Sequence, residues 1–464
     1  MKSQNTKDAD NNHSGSNWPW LIAFAGLLTL LFFIFRPQHQ KPPSRPVVAD
    51  TVSSVTATQP GGELRAGRSS FATVSIPARP AEEIVAEKVS QFARKHQQIL
   101  AAWATNLNVK VPEDVNRLFA AVQAGRWEET TNLFASLEKY RMSNDREPGI
   151  ERIWPAIVET YGVAEQAHDW PAQRLLDYGN AILDSLRPGM VYVGGSDAGR
   201  FIPTLLNETG DAEAHIVLTQ NALADGTYLD YLKFRYGDRL NTLTSDDSQT
   251  AFQTYIADAQ KRVMHDQQFP NESPQLGPGE DIRITDNRVQ VSGQVAVMLI
   301  NEKLVQTLLQ KNPNLSFALE ESTPLKSLYA GATPLGPITE LNTDTAANPL
   351  TAERAAQSID YWRSNTQNLI TDTDNSASIA PRDAYAKLIL GQANLFLDHN
   401  LASEAEQAYQ LANSLSPAQP EAVFGYVNVL RKQNRLSEAR QILQTAINLA
   451  PDNSRFRDLL GQLK

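Results

Sequence analysis

The residues best placed to do chemistry are Gly194, Gly195, Ser196 and Asp197, a polar turn between the apolar run Met190–Val193 and a helical pattern carrying Phe201, Leu205 and Leu206. A second apolar run, His215–Thr219, ends in Gln220, Asn221 and Asp225-Gly226 before another helical pattern with Tyr228, Leu229 and Leu232. Both runs carry the β-branched and aromatic residues that favour strands. Strand, helix, strand, helix with short connections is the pattern of parallel βαβ pairing. Loops at the carboxyl ends of neighbouring parallel strands share one crevice, so the Gly194–Asp197 turn is expected to face Gln220, Asn221 and Asp225. Glycines ahead of a helix can cradle an anion with backbone N–H groups. Asp197 would repel that anion, which turns the expectation towards a sugar or another hydroxyl-rich ligand. The competing reading makes the glycines a tight turn and Asp197 the cap of the following helix.

Little else in the chain offers reactive geometry. It has no cysteine, which excludes disulfides, thiolate metal sites and cysteine nucleophiles. The histidines at 13, 39, 96, 168, 215, 265 and 399 never fall at metal-ligand spacing, so no metal and no cofactor are expected. Ser196 lacks the Gly-x-Ser-x-Gly setting of a hydrolase nucleophile. Glu280-Asp281 and Glu320-Glu321 are adjacent carboxylates, but neighbours on a strand point to opposite faces, poor geometry for a paired acid and base. No catalytic residue is assigned. Lys and Arg number 42 against 52 Asp and Glu, a net charge of −10. That balance argues against a nucleic-acid partner, since phosphate binding needs a basic surface.

The elements that must carry this turn follow from the order of the chain, whose 464 residues allow two or three domains. Residues 1–17 are polar and expected to be disordered. Residues 18–35 (WPWLIAFAGLLTLLFFIF) are uncharged and open on Trp18 and Trp20. At 1.5 Å per residue, roughly 18 residues just cross a bilayer core, and indole rings favour its interface. A cleavable signal peptide competes with this reading, but no small-x-small site follows Phe35, so an uncleaved transmembrane anchor is expected. Arg36, Lys41 and Arg45 outnumber Lys2 and Lys7, which favours a cytoplasmic C-terminus; a short tail ahead of one early span favours export. The expectation taken is a bacterial inner-membrane, single-pass protein with its bulk outside the cytoplasm. Residues 36–80 hold prolines at 37, 42, 43, 46, 60, 77 and 80 and read as an extended linker.

Helical periodicity starts at Ala81. Val85, Val89, Phe92, His96, Ile99 and Trp103 step by 4-3-4-3-4, the seam of an amphipathic helix on its own domain or of weak self-association through 85–103. Residues 81–187 read as helical hairpins, among them Pro112–Tyr140 around Gly125-Arg126. Residues 188–345 read as an α/β domain with a parallel or mixed sheet. Within it Ser248–His265 is a helix capped by Asp246 or Asp247. Ile282–Thr285 and Val289–Val291 form a hairpin, Gln294–Gln310 is a helix, and Leu315–Leu319 and Ile338–Leu341 are strands.

The strongest pattern lies in 351–464. SEAEQAYQLANSLSP, Ser403–Pro417, and SEARQILQTAINLAP, Ser437–Pro451, align at an offset of 34. Ala405 and Ala439, Ala412 and Ala446, and Pro417 and Pro451 coincide. Small residues let the two helices of a hairpin approach closely, and the proline stops the second helix. This region resembles tetratricopeptide repeats, with Ser454–Leu463 as a closing helix.

A looser resemblance covers 190–232 and 315–341. Gly194-Gly195-Ser196-Asp197, Asn221-Ala222-Leu223 and Ser316-Phe317-Ala318-Leu319 are similar to the soluble portion of bacterial glycosyltransferase-C-like membrane proteins related to protein O-mannosyltransferases. That resemblance implies an exported accessory domain, because catalysis in such transferases belongs to a multi-span bundle. The expected function is non-catalytic docking of a protein or peptide in the repeat groove at the membrane. The alternative is a carbohydrate- or nucleotide-sugar-binding module of an envelope glycosylation or polysaccharide system.

Overall fold

The two apolar runs form neighbouring parallel strands, Val191–Gly194 (β1) and Ile216–Thr219 (β2), with Tyr192 level with Val217. The computed structural model describes residues 79–464 apart from 278, 286–287, 322, 343–348, 372–378 and 464. The expected anchor, 18–35, lies outside the described residues. Among the described residues no helix is long and apolar enough to cross a membrane. Asp281–Thr285 (β3) and Arg288–Ser292 (β4) make a separate antiparallel hairpin. Phe317–Leu319 (β5) pairs in parallel with the free side of β1, and Ala332–Leu335 (β6) and Ile338–Leu341 (β7) add antiparallel strands. The order β2-β1-β5-β7-β6 makes a mixed sheet. β6 is the one strand of the sheet that the sequence pattern does not announce. Pro334 removes an N–H from it, which is tolerated because β6 lies at an edge.

Among the described residues are fifteen α-helices, the first five Ala81–Leu107 (α1), Glu113–Gln123 (α2), Trp127–Arg141 (α3), Ile150–Asp169 (α4) and Ala172–Leu183 (α5). Asp197–Glu208 (α6) follows β1 and packs on β1 and β2, between α4 and α5. Two glycines permit that fit. A Cβ on Gly162 of α4 would lie 2.2 Å from the Phe201 ring, and one on Gly179 of α5 would lie 2.5 Å from Leu206. The stepped face of α1 is used up here as well. Val85, Val89, Phe92, His96 and Trp103 are buried, and α1 packs on α2, α4, α5 and α6 of its own chain. Five of the six stepped residues are thus spent on intrachain contacts, with Ile99 half-buried, as for an amphipathic helix on its own domain.

The edge strand β2 is closed by side chains. Gly226–Tyr236 (α7) brings Tyr228 Oη to accept from Thr219 N at 2.8 Å. Tyr236 Oη lies 3.4 Å from Val217 N and 3.3 Å from Val217 O, so it caps both main-chain groups of that residue. An edge strand left bare is a template for pairing with other chains, and these tyrosines remove it. Ser245–Gln268 (α8) is capped by Thr244 in a box with Asp247, so the cap lies two residues ahead of Asp246, the first of the acidic pair expected to provide it. Gln294–Lys311 (α9) then leads into β5.

The C-terminal helices are Ala352–Thr371 (α10), Ile379–Asp398 (α11), Ala402–Leu415 (α12), Pro420–Lys432 (α13), Leu436–Leu449 (α14) and Ser454–Gln462 (α15). Asn400 and Asn434, 34 residues apart, both take φ of 60°, and each hairpin closes with the same bond: Leu401 N to Phe396 O and Arg435 N to Leu430 O, both 2.9 Å. A left-handed residue with that backward bond is a Schellman ending. The α2–α3 hairpin repeats it with Gly125 at φ 65° and Arg126 N to Ala121 O at 2.9 Å. Arg126 even pairs with Glu129 as Arg435 pairs with Glu438.

Ala81–Lys464 forms one compact unit, and buried residues run in one cluster from Val85 to Leu463. The join between sheet and array rests on Gln392 of α11, which is fully buried. Its Nε2 donates to Gly336 O at 2.9 Å and Ile338 O at 3.0 Å, in and beside the β6–β7 turn. Its Oε1 accepts from Trp362 Nε1 of α10 at 2.9 Å and from Ser358 Oγ. One amide thus satisfies four groups on three elements. Gln392→Leu keeps the volume and orphans them, at about 1–3 kcal/mol for each buried group left unmet. Urea denaturation is expected to show a loss of at least about 3 kcal/mol, and a loss within about 0.5 kcal/mol would mean that the groups find other partners.

Candidate functional site

The turn after β1 is built around a carboxylate from another strand. Glu320, immediately after β5, places its side chain at the N-terminus of α6, where Gly195 N and Ser196 N each donate to Oε2 at 2.7 Å. Ser196 Oγ donates to Oε1 at 2.5 Å, and the same oxygen accepts from Gly199 N at 3.0 Å as the cap of α6. The cap is therefore Ser196 and not Asp197, whose carboxylate reaches Arg200 NH2 at 2.9 Å. Gly199 has to be glycine, because a Cβ there would stand 1.9 Å from Glu320 Oε2. Tyr192 Oη donates to Gly199 O at 2.7 Å and fixes the turn from below. Burial pushes the Glu320 carboxyl up, and the donors from Ser196 and Gly195 pull it back.

The other residues expected at the crevice are also engaged within the chain. Gln220 is fully buried; its Nε2 donates to Asn301 Oδ1 at 3.1 Å, and Asn301 Nδ2 returns a bond to Gln220 O at 2.7 Å. Asn221 Nδ2 donates to Gly195 O at 3.1 Å, so the ends of β1 and β2 are brought together as the parallel pairing requires. Asp225 is turned away from them: it caps α7, accepting from Thr227 N at 2.8 Å. Gly194 to Ser196 and Asn221 form one closed turn filled by Glu320. The backbone N–H groups of Gly195 and Ser196, which an external ligand would need, are occupied.

A second polar cluster escaped the sequence reading. His96 of α1, fully buried, has Nε2 3.0 Å from Glu208 Oε2 and Nδ1 3.5 Å from Glu159 Oε2. Arg235 NH2 meets Glu208 Oε1 at 2.7 Å, and Tyr231 Oη donates to Glu159 Oε2 at 2.9 Å. Burial alone would raise the Glu208 carboxyl, but His96 and Arg235 together outweigh it and hold it well below the usual carboxylate range. Lys95 Nζ donates to Glu208 O at 3.2 Å and Lys88 Nζ to Thr209 O at 3.0 Å, cations at the negative end of α6. The signal was His96 inside an otherwise apolar stripe. Among the described residues no group of His, Asp or Glu is arranged to hold a metal.

The repeat array carries an open surface. Ala405, Ala412, Ala439 and Ala446 are fully buried, while Pro417 and Pro451 follow the ends of α12 and α14. Between α13 and α15 runs a cleft of about 330 Å³ lined by Phe424, Asn428, Arg455, Asp458, Leu459 and Gln462. Arg455 lies over the Phe424 ring at 4.9 Å, and Phe456 supports that ring from below at 5.5 Å, edge to face. Asn428, Arg455, Asp458 and Gln462 are exposed, and Phe424 and Leu459 half-buried. An apolar floor with amide and charged rims can hold a peptide side chain and bond its main chain.

Residues 396–463 match the tetratricopeptide repeat family. No curated protein and no solved structure matches the chain. Residues 396–463, which hold α12 to α15, are therefore tetratricopeptide repeats, a module that implies a protein partner. The match reaches none of 190–341, so the glycosyltransferase-like resemblance there gains no support from it. The filled turn sets a test of its own. Glu320→Ala strips three donors of their acceptor, and thermal and urea unfolding are expected to show a loss of at least about 2 kcal/mol. An unchanged midpoint would mean that the turn is held by something other than its carboxylate.

Proposed function

We propose that the protein is a membrane-anchored, non-catalytic docking factor that holds an extended peptide segment of a partner protein in the α13–α15 cleft. The observation that carries this reading is the cleft itself: an aromatic floor, two amides and one charge of each sign, exposed on a matched repeat array. Amides suit main-chain recognition because Asn and Gln each supply a donor and an acceptor. The non-catalytic part is supported by the polar groups at the strand ends, which are spent on one another. The anchor rests on the uncharged stretch 18–35 and its tryptophans, and the extracytoplasmic placement on the short tail ahead of it.

Peptides selected from a random display library on the full chain are expected to lose about 10-fold or more in affinity on Arg455→Ala and on Asn428→Ala. Selected peptides that bind both variants equally would move the docking site elsewhere. For topology, alkaline phosphatase fused after Pro80 is expected to be active. An inactive fusion, with an active cytoplasmic reporter at the same position, would reverse the orientation.

A further inference from the structure

Glu320 and Glu321 are consecutive, and their side chains leave the end of β5 on different sides. Glu320 enters the turn before α6. Glu321 enters the seam between the sheet and the first repeat hairpin, where its Oε2 accepts from Tyr329 Oη at 3.0 Å. Tyr329 belongs to the short helix Lys326–Gly331, which packs on α11. Gly391 of α11 stands against the same carboxyl, since a Cβ there would be 3.7 Å from Glu321 Oε2.

The surroundings are acidic. Glu302 of α9, buried, faces Glu321 while accepting from Ser327 N at 2.6 Å, and Glu320 lies next to it in the chain. From the array, Tyr409 of α12 faces Glu321, and Asp398 at the end of α11 faces Tyr329. A cation, Lys387 of α11, acts on Glu320. Among the described residues Glu321 makes no ion pair.

We propose that Glu321 is a charge-sensitive latch between the sheet and the repeat array. Neutral, it accepts the Tyr329 hydroxyl and lets α11 close on the sheet. Ionised, it faces Glu302 and Glu320 with no ion-pair partner among the described residues and weakens the docking of α11 and α12. Burial pushes its carboxyl up to about 8, against the pull of the Tyr329 hydroxyl and the Leu325 backbone N–H and with Glu302 and Glu320 adding to the rise. The folded state then holds a proton that the opened state releases, so docking weakens progressively as pH rises from the ordinary carboxyl range. The weakening levels off above about 8.

Hydrogen exchange by mass spectrometry on the full chain tests this. After correction for intrinsic exchange, protection in Ile379–Asp398 and Ala402–Leu415 is expected to fall roughly tenfold or more between about pH 6 and about pH 8, then to level off. Glu321→Gln keeps the Tyr329 bond and is expected to flatten the profile. Glu302→Gln removes one neighbouring carboxylate and is expected to move the levelling-off to lower pH. A wild-type profile flat over this range overturns the proposal without any variant, and so does a Glu321→Gln profile that matches the wild type.

Discussion

The structure depends on one carboxylate taken out of water. Glu320 arrives from β5 at the point where β1 turns into α6, and removing such a group from solvent costs several kcal/mol if it stays ionised. Hydrogen bonds to a charged group return about 1.5–3 kcal/mol each, so the three donors from Gly195 and Ser196 recover part of that cost, and burial still leaves the carboxyl raised. Meeting it imposes geometry on everything nearby. Gly199 has to be glycine, Tyr192 has to hold the first turn of α6, and Asn221 has to close over Gly195 from β2. Three parallel strands from distant parts of the chain are thereby locked at one edge.

The same sheet also finishes the repeat array. A solenoid buries each unit against its neighbours, so its ends need special covers. At the C-terminal end α15 packs on α14 and buries Phe456. At the other end α11 packs on β6 and β7, and Gln392 ties it to their turn and to α10. A leucine-only contact would bury more apolar surface, but the turn carbonyls of Gly336 and Ile338 would then go without donors. The amide is the side chain that satisfies carbonyls on one side and donors on the other.

How far these features could be read beforehand depended on how local their cause was. The strands Val191–Gly194, Ile216–Thr219 and Ile338–Leu341, and the two alanine-marked repeats, show in short-range periodicity. Asp197 and Ser196 are both good capping types one residue apart, and local pattern does not choose between them. Thr244 ahead of Asp246-Asp247 is the same case. Glu320 was visible as half of an acidic pair, and its neighbours do diverge as strand geometry demands. Its acceptor role depends on a turn 124 residues earlier, which no local pattern encodes. His96 likewise reads as part of a helix seam until Glu159 and Glu208 are brought beside it. The seam was legible; what it packs on was not.

The contrast between the two polar surfaces explains why the docking reading outweighs a ligand in the crevice. A recognition site must keep hydrogen-bonding capacity unspent, since a ligand gains only from groups that exchange water for it. At the strand ends that capacity is consumed: Gly195 and Ser196 bind Glu320, Gln220 binds Asn301, and Asp225 caps its own helix. In the array the reverse holds, because among the described residues the side chains of Asn428 and Gln462 are exposed and make no hydrogen bond. Arg455 lies over the Phe424 ring at 4.9 Å and is itself exposed. The sheet closes its own polar edge and covers one end of the repeats, and the cleft at the other end is a surface whose amides stay unspent.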